Sequence, residues 1–386
     1  MSFIMNIRSV AKYESKILVR SWFFRIFTLL AVVFLGFFNF AMMLMEDNFG
    51  LWFAKSVSSN IPYLNLLLLN TGQAVVAVFL SSEFLKRDKK LDTSEVFYVR
   101  PLSNAEYVVG KIWGNLRVFL FLNLLVLAIV LAFNFMASGV TVDLPAYLVY
   151  FFLISIPTLI FIIGLSIFLM LLLKNQALTF ILLLGYIGLT LFYIQDKFYY
   201  LFDYMVYNLP LFKSTIVGFS NLELILNHRA IYFFAGLGFI FFTIFLFKRL
   251  PNARRSHYPW LFLSFCMFLL MVTAGFRHVR SILWEGEMRA LYTSINNKYV
   301  YEPKMAIDYY DISVEQKSET IRSVVGMEGT ALAASEVFIF CLNPGLRVEE
   351  VKDGEKSLNF KREEQILAVD FGRKIEKGDT ISLDRK

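Results

Sequence analysis

Long apolar runs separated by short charged segments set the pattern of this chain. The runs at 26–45, 61–82, 118–136, 147–173, 176–194, 230–247 and 260–276 approach the ~20 residues that a helix needs to cross about 30 Å of hydrocarbon. Each predicts a membrane-spanning helix. Only Lys174 and Asn175 separate the fourth run from the fifth, which predicts a tight helical hairpin; Pro157 predicts a kink in the fourth. After Trp284 the chain turns polar and its apolar period changes to two. Tyr309-Tyr310-Asp311-Ile312-Ser313-Val314 alternates, and Val337 to Leu342 reads as an apolar strand. Asn343-Pro344-Gly345 and Asp353-Gly354 mark turns, and Leu358, Phe360, Ile366, Ala368 and Phe371 continue at strand spacing. The predicted fold is a polytopic α-helical membrane protein of about seven spans with a C-terminal, extracytoplasmic β-rich domain. An amphipathic helix occupies 1–25, the transmembrane domain 26–276, a linker 277–304, and an incomplete β-domain of five or more strands 305–386.

Composition agrees. Of 386 residues, 57% are hydrophobic, 18% are charged and 42 are Phe, too apolar for an ordinary soluble enzyme and too aromatic for a disordered chain. The two cysteines, Cys266 and Cys341, fall in an apolar run and a polar region, so no disulfide pairing is expected. His228, His257 and His278 are scattered, and neither His-x-x-x-His nor Cys-x-x-Cys occurs. No metal site is expected from such spacing.

Charge sets the expected orientation, because Lys and Arg resist translocation. Arg8, Lys12, Lys16, Arg20 and Arg25 precede the first run. Lys86, Arg87, Lys89, Lys90, Arg100, Lys111 and Arg117 follow the second, and Lys248, Arg249, Arg254 and Arg255 follow the sixth. The alternate loops hold few cations: Lys55, none in 137–146, then Lys197, Lys213 and Arg229. This predicts a multi-pass protein of the cell's inner (plasma) membrane, with its N-terminus in the cytoplasm and everything after Phe276 outside it. Arg277 and Arg280 oppose this locally, but they precede a long domain, for which the rule is weak. Residues 1–276 hold 21 basic and 12 acidic residues, while 277–386 hold 17 and 19. The surplus is thus a topology signal rather than a nucleic-acid surface.

Arg8, Lys12, Lys16 and Arg20 recur every four residues and form one stripe on a helix, with Ile4, Ile7, Val10, Ala11, Ile17 and Leu18 mostly opposite. The pattern predicts an interfacial helix whose cations meet anionic lipid headgroups. Within the runs, charge is scarce and the polar residues are Asn39, Asn65, Asn70, Gln73, Asn123 and Ser155. Asn70 and Gln73 lie one turn apart, as lining of a substrate path or as partners in inter-helix hydrogen bonds. Residues 195–229 carry Phe198, Tyr199, Tyr200, Phe202, Tyr204 and Tyr207, then Leu209-Pro210-Leu211-Phe212. They read equally as an aromatic belt or as a segment dipping into the bilayer.

The loop after the second run carries the most informative motif. Glu83-Phe84-Leu85-Lys86-Arg87-Asp88-Lys89-Lys90-Leu91-Asp92 predicts a mixed-charge helix leaving the membrane, and Arg100-Pro101 a stop. Ser103 with Glu106 predicts a capping box that starts the next helix. The ordered set Glu83, Lys86, Arg87, Leu91, Asp92, Pro101, Ser103, Glu106, Tyr107, Gly110 and Lys111, with Lys89-Lys90 where a Gly-Thr pair is usual, resembles the type-2 ABC transporter permeases over about residues 1–250. The resemblance implies a permease that pairs with a second copy or a paralogue and is driven by a separate ABC ATPase subunit. Residues 83–111, Arg100 included, would form the coupling loop. Gly110-Lys111 lacks the preceding glycine and the following hydroxyl of a phosphate-binding loop. ATP is therefore expected on the partner, with no cofactor or catalytic residue here.

Residues 305–386, through Tyr310–Val314, Val337–Leu346 and the turn at Asp353-Gly354, resemble the N-terminal β-domain of gluzincin-type zinc aminopeptidases. That family's His-Glu-x-x-His and Gly-x-Met-Glu-Asn motifs are absent, and Gly326-Met327-Glu328 matches only in part. The expected function is the membrane subunit of an ABC-type exporter. The alternatives are a membrane-anchored scaffold displaying a β-domain for protein or peptide binding, and an inactive fragment of a permease–aminopeptidase fusion.

Overall fold

The computed structural model describes residues 2–44, 57–82, 102–136, 142–214, 218–247, 258–317 and 320–385. The chain divides into two compact units, Met1–Arg280 and Ser281–Lys386.

The first unit is helical. Its elements are α1 (Ser2–Arg20), α2 (Trp22–Leu44), α3 (Asn60–Ser82), α4 (Asn104–Met136), α5 (Leu144–Leu173), α6 (Gln176–Ile194), α7 (Leu222–Leu246) and the first part of α8 (Tyr258–Lys298). Among the described residues, the seven helices α2 to α8 are long and apolar enough to cross a membrane. Helices satisfy their own backbone groups, which is what hydrocarbon demands. α3 is the most enclosed of them, whereas α2 and α8 leave Phe34, Phe37, Phe262 and Phe265 exposed. Such faces suit lipid rather than water.

α5 and α7 pack closely because each carries a glycine at the contact. A Cβ on Gly164 would stand 2.6 Å from Gly236 O, and one on Gly236 2.7 Å from Ile160 O. α5 changes pitch on the way: it is α-helical over Leu144–Tyr150, makes a π-helical turn over Phe151–Ser155 and resumes as Ile156–Leu173. Pro157 causes the irregularity by withholding an N–H from the preceding turn. The helix ends at Lys174 in a left-handed conformation (φ 54°), and the Asn175 side chain caps α6 by accepting from Leu178 N at 3.2 Å. Those two residues make the tight hairpin.

Two elements depart from the sequence reading. α7 starts at Leu222, eight residues before the apolar run, so His228 and Arg229 are inside the helix and Arg229 is not a loop cation. α4, by contrast, starts at Asn104, where the Ser103–Glu106 capping box predicts, and runs on through the apolar run at 118. α8 continues to Lys298, so most of the expected linker 277–304 is helical. Nine of the 22 residues 277–298 are Leu, Met, Ala, Glu or Arg, which favour helix, and no proline follows until Pro303.

Among the described residues, the second unit holds the end of α8 and eight strands. They are β3 (Met305–Lys317), β4 (Thr320–Ala331), β5 (Ser335–Cys341), β6 (Val351–Asp353), β7 (Lys356–Ser357), β8 (Asn359–Glu363), β9 (Ile366–Ile375) and β10 (Thr380–Arg385). β1 (Lys213–Ser214) and β2 (Gly218–Phe219) form a small ribbon in the first unit. The strands make two antiparallel sheets, in the orders β3-β4-β10-β6-β7 and β5-β9-β8. Period-two alternation explains the layering. Phe338 and Phe340 of β5 and Leu367, Val369 and Phe371 of β9 meet Met327, Val351 and Ile381 of the larger sheet in one core. The intervening Ile339 and Ile366 face the other way, onto Ile295 of α8. The three-stranded sheet therefore lies between the larger sheet and the helix end. Gly354 (φ 60°) makes the β6–β7 turn.

Candidate functional site

Three polar layers are built into the first unit. The first is the foot of α4. Ser103 and Glu106 form the capping box: Ser103 N donates to Glu106 Oε2 at 2.6 Å, and Glu106 N donates to Ser103 Oγ at 3.1 Å. Asn6 Nδ2 of α1 donates to the other Glu106 oxygen at 2.9 Å. One turn further, Gly110 and Gly114 admit α1 to backbone contact. A Cβ on Gly114 would stand 2.9 Å from Ala11 O, the close approach that paired small residues permit. Lys111 and Glu14 are buried in this seam with their charged atoms 3.8 Å apart. Arg117 donates to Ser15 Oγ at 2.5 Å and to Ala11 O at 2.7 Å. The foot also holds the end of α7, since Asn104 Nδ2 donates to Phe247 O at 2.6 Å and Tyr107 stacks on the Phe247 ring at 5.5 Å.

These contacts settle where the expected coupling residues stand. Glu106, Gly110 and Lys111 are buried against the chain itself, while Ser103 is exposed. Glu83, Lys86, Arg87, Asp92, Arg100 and Pro101 lie outside the described residues. Arg8, Lys12, Lys16 and Arg20 form an exposed stripe on α1. The face of α1 turned to α4 holds Ala11, Glu14, Ser15 and Leu18, whereas Ile4 is exposed. Helix α1 is thus a packed element with a polar seam, a feature hidden in the sequence because Glu14 and Ser15 read as surface residues.

The second layer joins α3, α4 and α5. Asn70 Nδ2 donates to Asn123 Oδ1 at 2.9 Å and to Ser155 Oγ at 3.1 Å. Asn123 Nδ2 donates to Gln73 Oε1 at 2.8 Å, and Gln73 Nε2 donates to Phe119 O at 3.0 Å. All four side chains are fully buried. Asn70 and Gln73 are engaged in inter-helix bonds. Asn39 and Asn65 make a second, reciprocal amide pair between α2 and α3, at 2.7 and 3.0 Å.

The third layer holds the connection after α6. Phe198, Tyr199 and Tyr200 are left-handed (φ 52°, 59° and 62°), as is Val206 (φ 66°); residues without glycine's freedom rarely adopt this. The strap 198–206 then turns inward: Tyr204, Met205 and Val206, with Leu209 and Leu211 beyond, are buried, while Phe198, Tyr199, Phe202 and Phe212 remain exposed. Side chains of α7 and α8 receive its carbonyls. His278 Nε2 lies 2.9 Å from Tyr199 O and His228 Nε2 3.0 Å from Tyr200 O. Tyr232 Oη donates to Leu201 O at 2.5 Å and Arg229 Nη1 to Tyr204 O at 2.9 Å. Arg229 also grips the irregular turn of α5 through Leu153 O at 2.6 Å, Ile154 O at 3.3 Å and Thr158 Oγ1 at 2.8 Å. Asp203 is buried in the strap. Burial pushes its carboxyl above the ordinary carboxylate range, against the lowering effect of the Asn208, Tyr207 and Val206 N–H groups and the Arg229 charge.

This last layer escaped the sequence reading, which took the span interiors as nearly free of charge. The available signal was Asn227-His228-Arg229 beside an apolar run, since ionisable residues inside a span are costly and usually placed for a reason. Among the described residues no three His, Cys, Asp or Glu side chains stand close enough to hold a metal ion. Neither known family models nor curated proteins yield a match to this chain.

Proposed function

We propose that the chain is the membrane-spanning permease subunit of an ABC-type exporter, coupled through residues 83–111 to an ATPase carried on a separate chain. The N-terminus and the loops around 83–103 and 248–257 face the cytoplasm, and the second unit lies on the opposite side. The observation that carries this reading is the build of the α4 foot. A helix capped at Ser103 and Glu106 is clamped by α1 through Gly110 and Gly114 and joined to α7 at Phe247. A push delivered at the end of the 83–103 loop would therefore reach three helices at once, as a coupling element requires. α1, with its exposed Arg8, Lys12, Lys16 and Arg20, lies in the headgroup plane. The second unit is an appended β-sandwich that resembles a peptidase N-terminal domain without the peptidase's metal motif.

The test is reconstitution in proteoliposomes with the ABC ATPase that co-purifies with the chain. The permease is expected to stimulate ATP hydrolysis, and Glu83→Lys or Arg100→Glu to abolish the stimulation while leaving the fold intact. Failure to bind any ABC ATPase, or labelling of Lys89→Cys and Arg254→Cys from the outer side, overturns the reading.

A further inference from the structure

We propose that α7 is a lever that links the α4 foot to the strap 198–206, with Arg229 as the positioning residue that keeps the strap shut. This rests on the reading that work enters at residues 83–111. The two ends of α7 are held by different groups. At one end Phe247 is fixed by Asn104 and Tyr107 of the foot. Near the other, His228, Arg229 and Tyr232 bind the carbonyls of Tyr200, Tyr204 and Leu201, and His278 of α8 binds that of Tyr199. Between them α7 touches α5 backbone to backbone at Gly236, against Ile160 and Gly164. Backbone meets backbone there, so the point acts as the fulcrum.

The lengths follow from 1.5 Å of rise per helical residue: about 16 Å from Phe247 to Gly236 and about 11 Å from Gly236 to Arg229. A sideways shift of about 1.5 Å at Phe247 thus moves Arg229 about 1 Å the opposite way. That is enough to carry the α7 contacts of 2.6–3.0 Å beyond hydrogen-bonding reach. Both structures that Arg229 grips are primed to respond. The strap holds four left-handed non-glycine residues, Phe198, Tyr199, Tyr200 and Val206, a strain that persists only while its surroundings impose it. The α5 segment is a π-helical turn followed by Pro157, the kind of irregularity at which helices bend. Displacing the guanidinium removes the donor to Leu153 O, Ile154 O and Thr158 Oγ1 of α5 and leaves Tyr204 O of the strap with only the longer Thr158 Oγ1 contact at 3.3 Å, so the hold on the strap's inner end weakens.

The experiment uses the full chain in nanodiscs, where both faces are accessible, on a Cys266→Ser, Cys341→Ser background. Val206→Cys reports on the strap, and Ala77→Cys, buried in α3, reports on general loosening. Maleimide labelling of Val206→Cys is expected to be slow. It should accelerate about tenfold with Arg229→Met, and again with the distant pair Asn104→Ala and Tyr107→Ala, as expected where labelling follows the opening equilibrium. Labelling of Ala77→Cys should stay slow. Arg229→Lys, which keeps the charge but loses the planar fork, should give an intermediate rate. An unchanged rate with Arg229→Met or Arg229→Lys removes the strap's lock, and an unchanged rate with the foot pair removes the lever. Equal acceleration of both reporters reduces the effect to loosening and overturns the proposal. No ATPase enters the assay, so its outcome is separable from that of the coupling reading.

Discussion

Arg229 Nε donates at 2.6 Å to Leu153 O, the carbonyl one helical turn before Pro157. Proline offers that carbonyl no N–H, and hydrocarbon offers no water. The arginine therefore supplies the donor that the sequence of α5 withholds. Arg229→Met should destabilise the first unit by about 3 kcal/mol, because several buried acceptors lose their donor together and each costs about 1–3 kcal/mol at most. Pro157→Ala restores a local N–H. Combined with Arg229→Met it should recover about 1 kcal/mol in a double-mutant cycle followed by detergent-titrated unfolding. Strict additivity would show that the two residues do not share the Leu153 carbonyl.

Gly114 tests the α1 seam. A Cβ there would meet Ala11 O at 2.9 Å and Glu14 Cβ at 2.7 Å, and Ser15 Oγ donates to Gly114 O at 2.6 Å. Gly114→Leu forces the helices apart and should cost about 2–3 kcal/mol, the upper range for overpacking. Gly185→Leu, where a Cβ would meet nothing within 4 Å, should be nearly silent. Pulsed electron–electron distances between labels at Lys12→Cys and Trp113→Cys should lengthen in the first variant and not in the second. An unchanged distance would mean that α1 is held by something other than backbone contact.

The seven apolar helices and the polar tail were legible because hydrophobic period and length act locally. So were the α5–α6 hairpin and the capping box, where a few neighbouring residues decide the geometry. What remained hidden depends on partners distant in sequence. Helix α7 begins at Leu222 because His228 and Arg229 find carbonyls on the strap and α5; counted alone, they end an apolar run. Glu14 looks like a surface acid until Lys111 meets it from α4. Residues 277–298 look like a linker because their apolar positions are few, yet Ile295 has a sheet to rest on.

Asn70 and Asn123 separate the two readings of the interior amides. Asn70→Leu removes the donor shared by Asn123 Oδ1 and Ser155 Oγ. It should cost about 1 kcal/mol, between the roughly 0.6 kcal/mol average from double-mutant cycles and the about 1–2 kcal/mol found in model membrane peptides. Ser155→Ala in the same background should add less than it does alone, because the two side chains belong to one network. If the chain stimulates an ABC ATPase as proposed, that stimulation per folded molecule should be unchanged in both. A selective loss of the proposed transport with full stability would instead place Asn70 and Gln73 on a substrate path.

Glu363 gives the second unit a pH-dependent contact. Tyr299 Oη donates to its Oε2 at 2.6 Å and Lys298 Nζ lies 2.9 Å from the same oxygen. The tyrosine hydroxyl first, and the ammonium second, hold the Glu363 carboxyl below its ordinary value. A carboxylate whose folded pKa is lowered adds stability above the unfolded value of about 4.3, and that stability is lost as pH falls through the lowered folded value. The contact is open to solvent, so its effect is confined to how the end of α8 holds the three-stranded sheet. With ¹³C-labelled glutamate in the full chain, the Glu363 carboxyl should titrate below the ordinary glutamate range. Tyr299→Phe should move the midpoint up the most and Lys298→Met by less, since hydrogen bonding to the charged form lowers the pKa most directly. At neutral pH the Gln365 Nε2 to Tyr292 O contact, 2.5 Å long, should persist in both variants and keep the helix end docked. A midpoint unmoved by Tyr299→Phe would mean that the hydroxyl does not bind the carboxylate in solution.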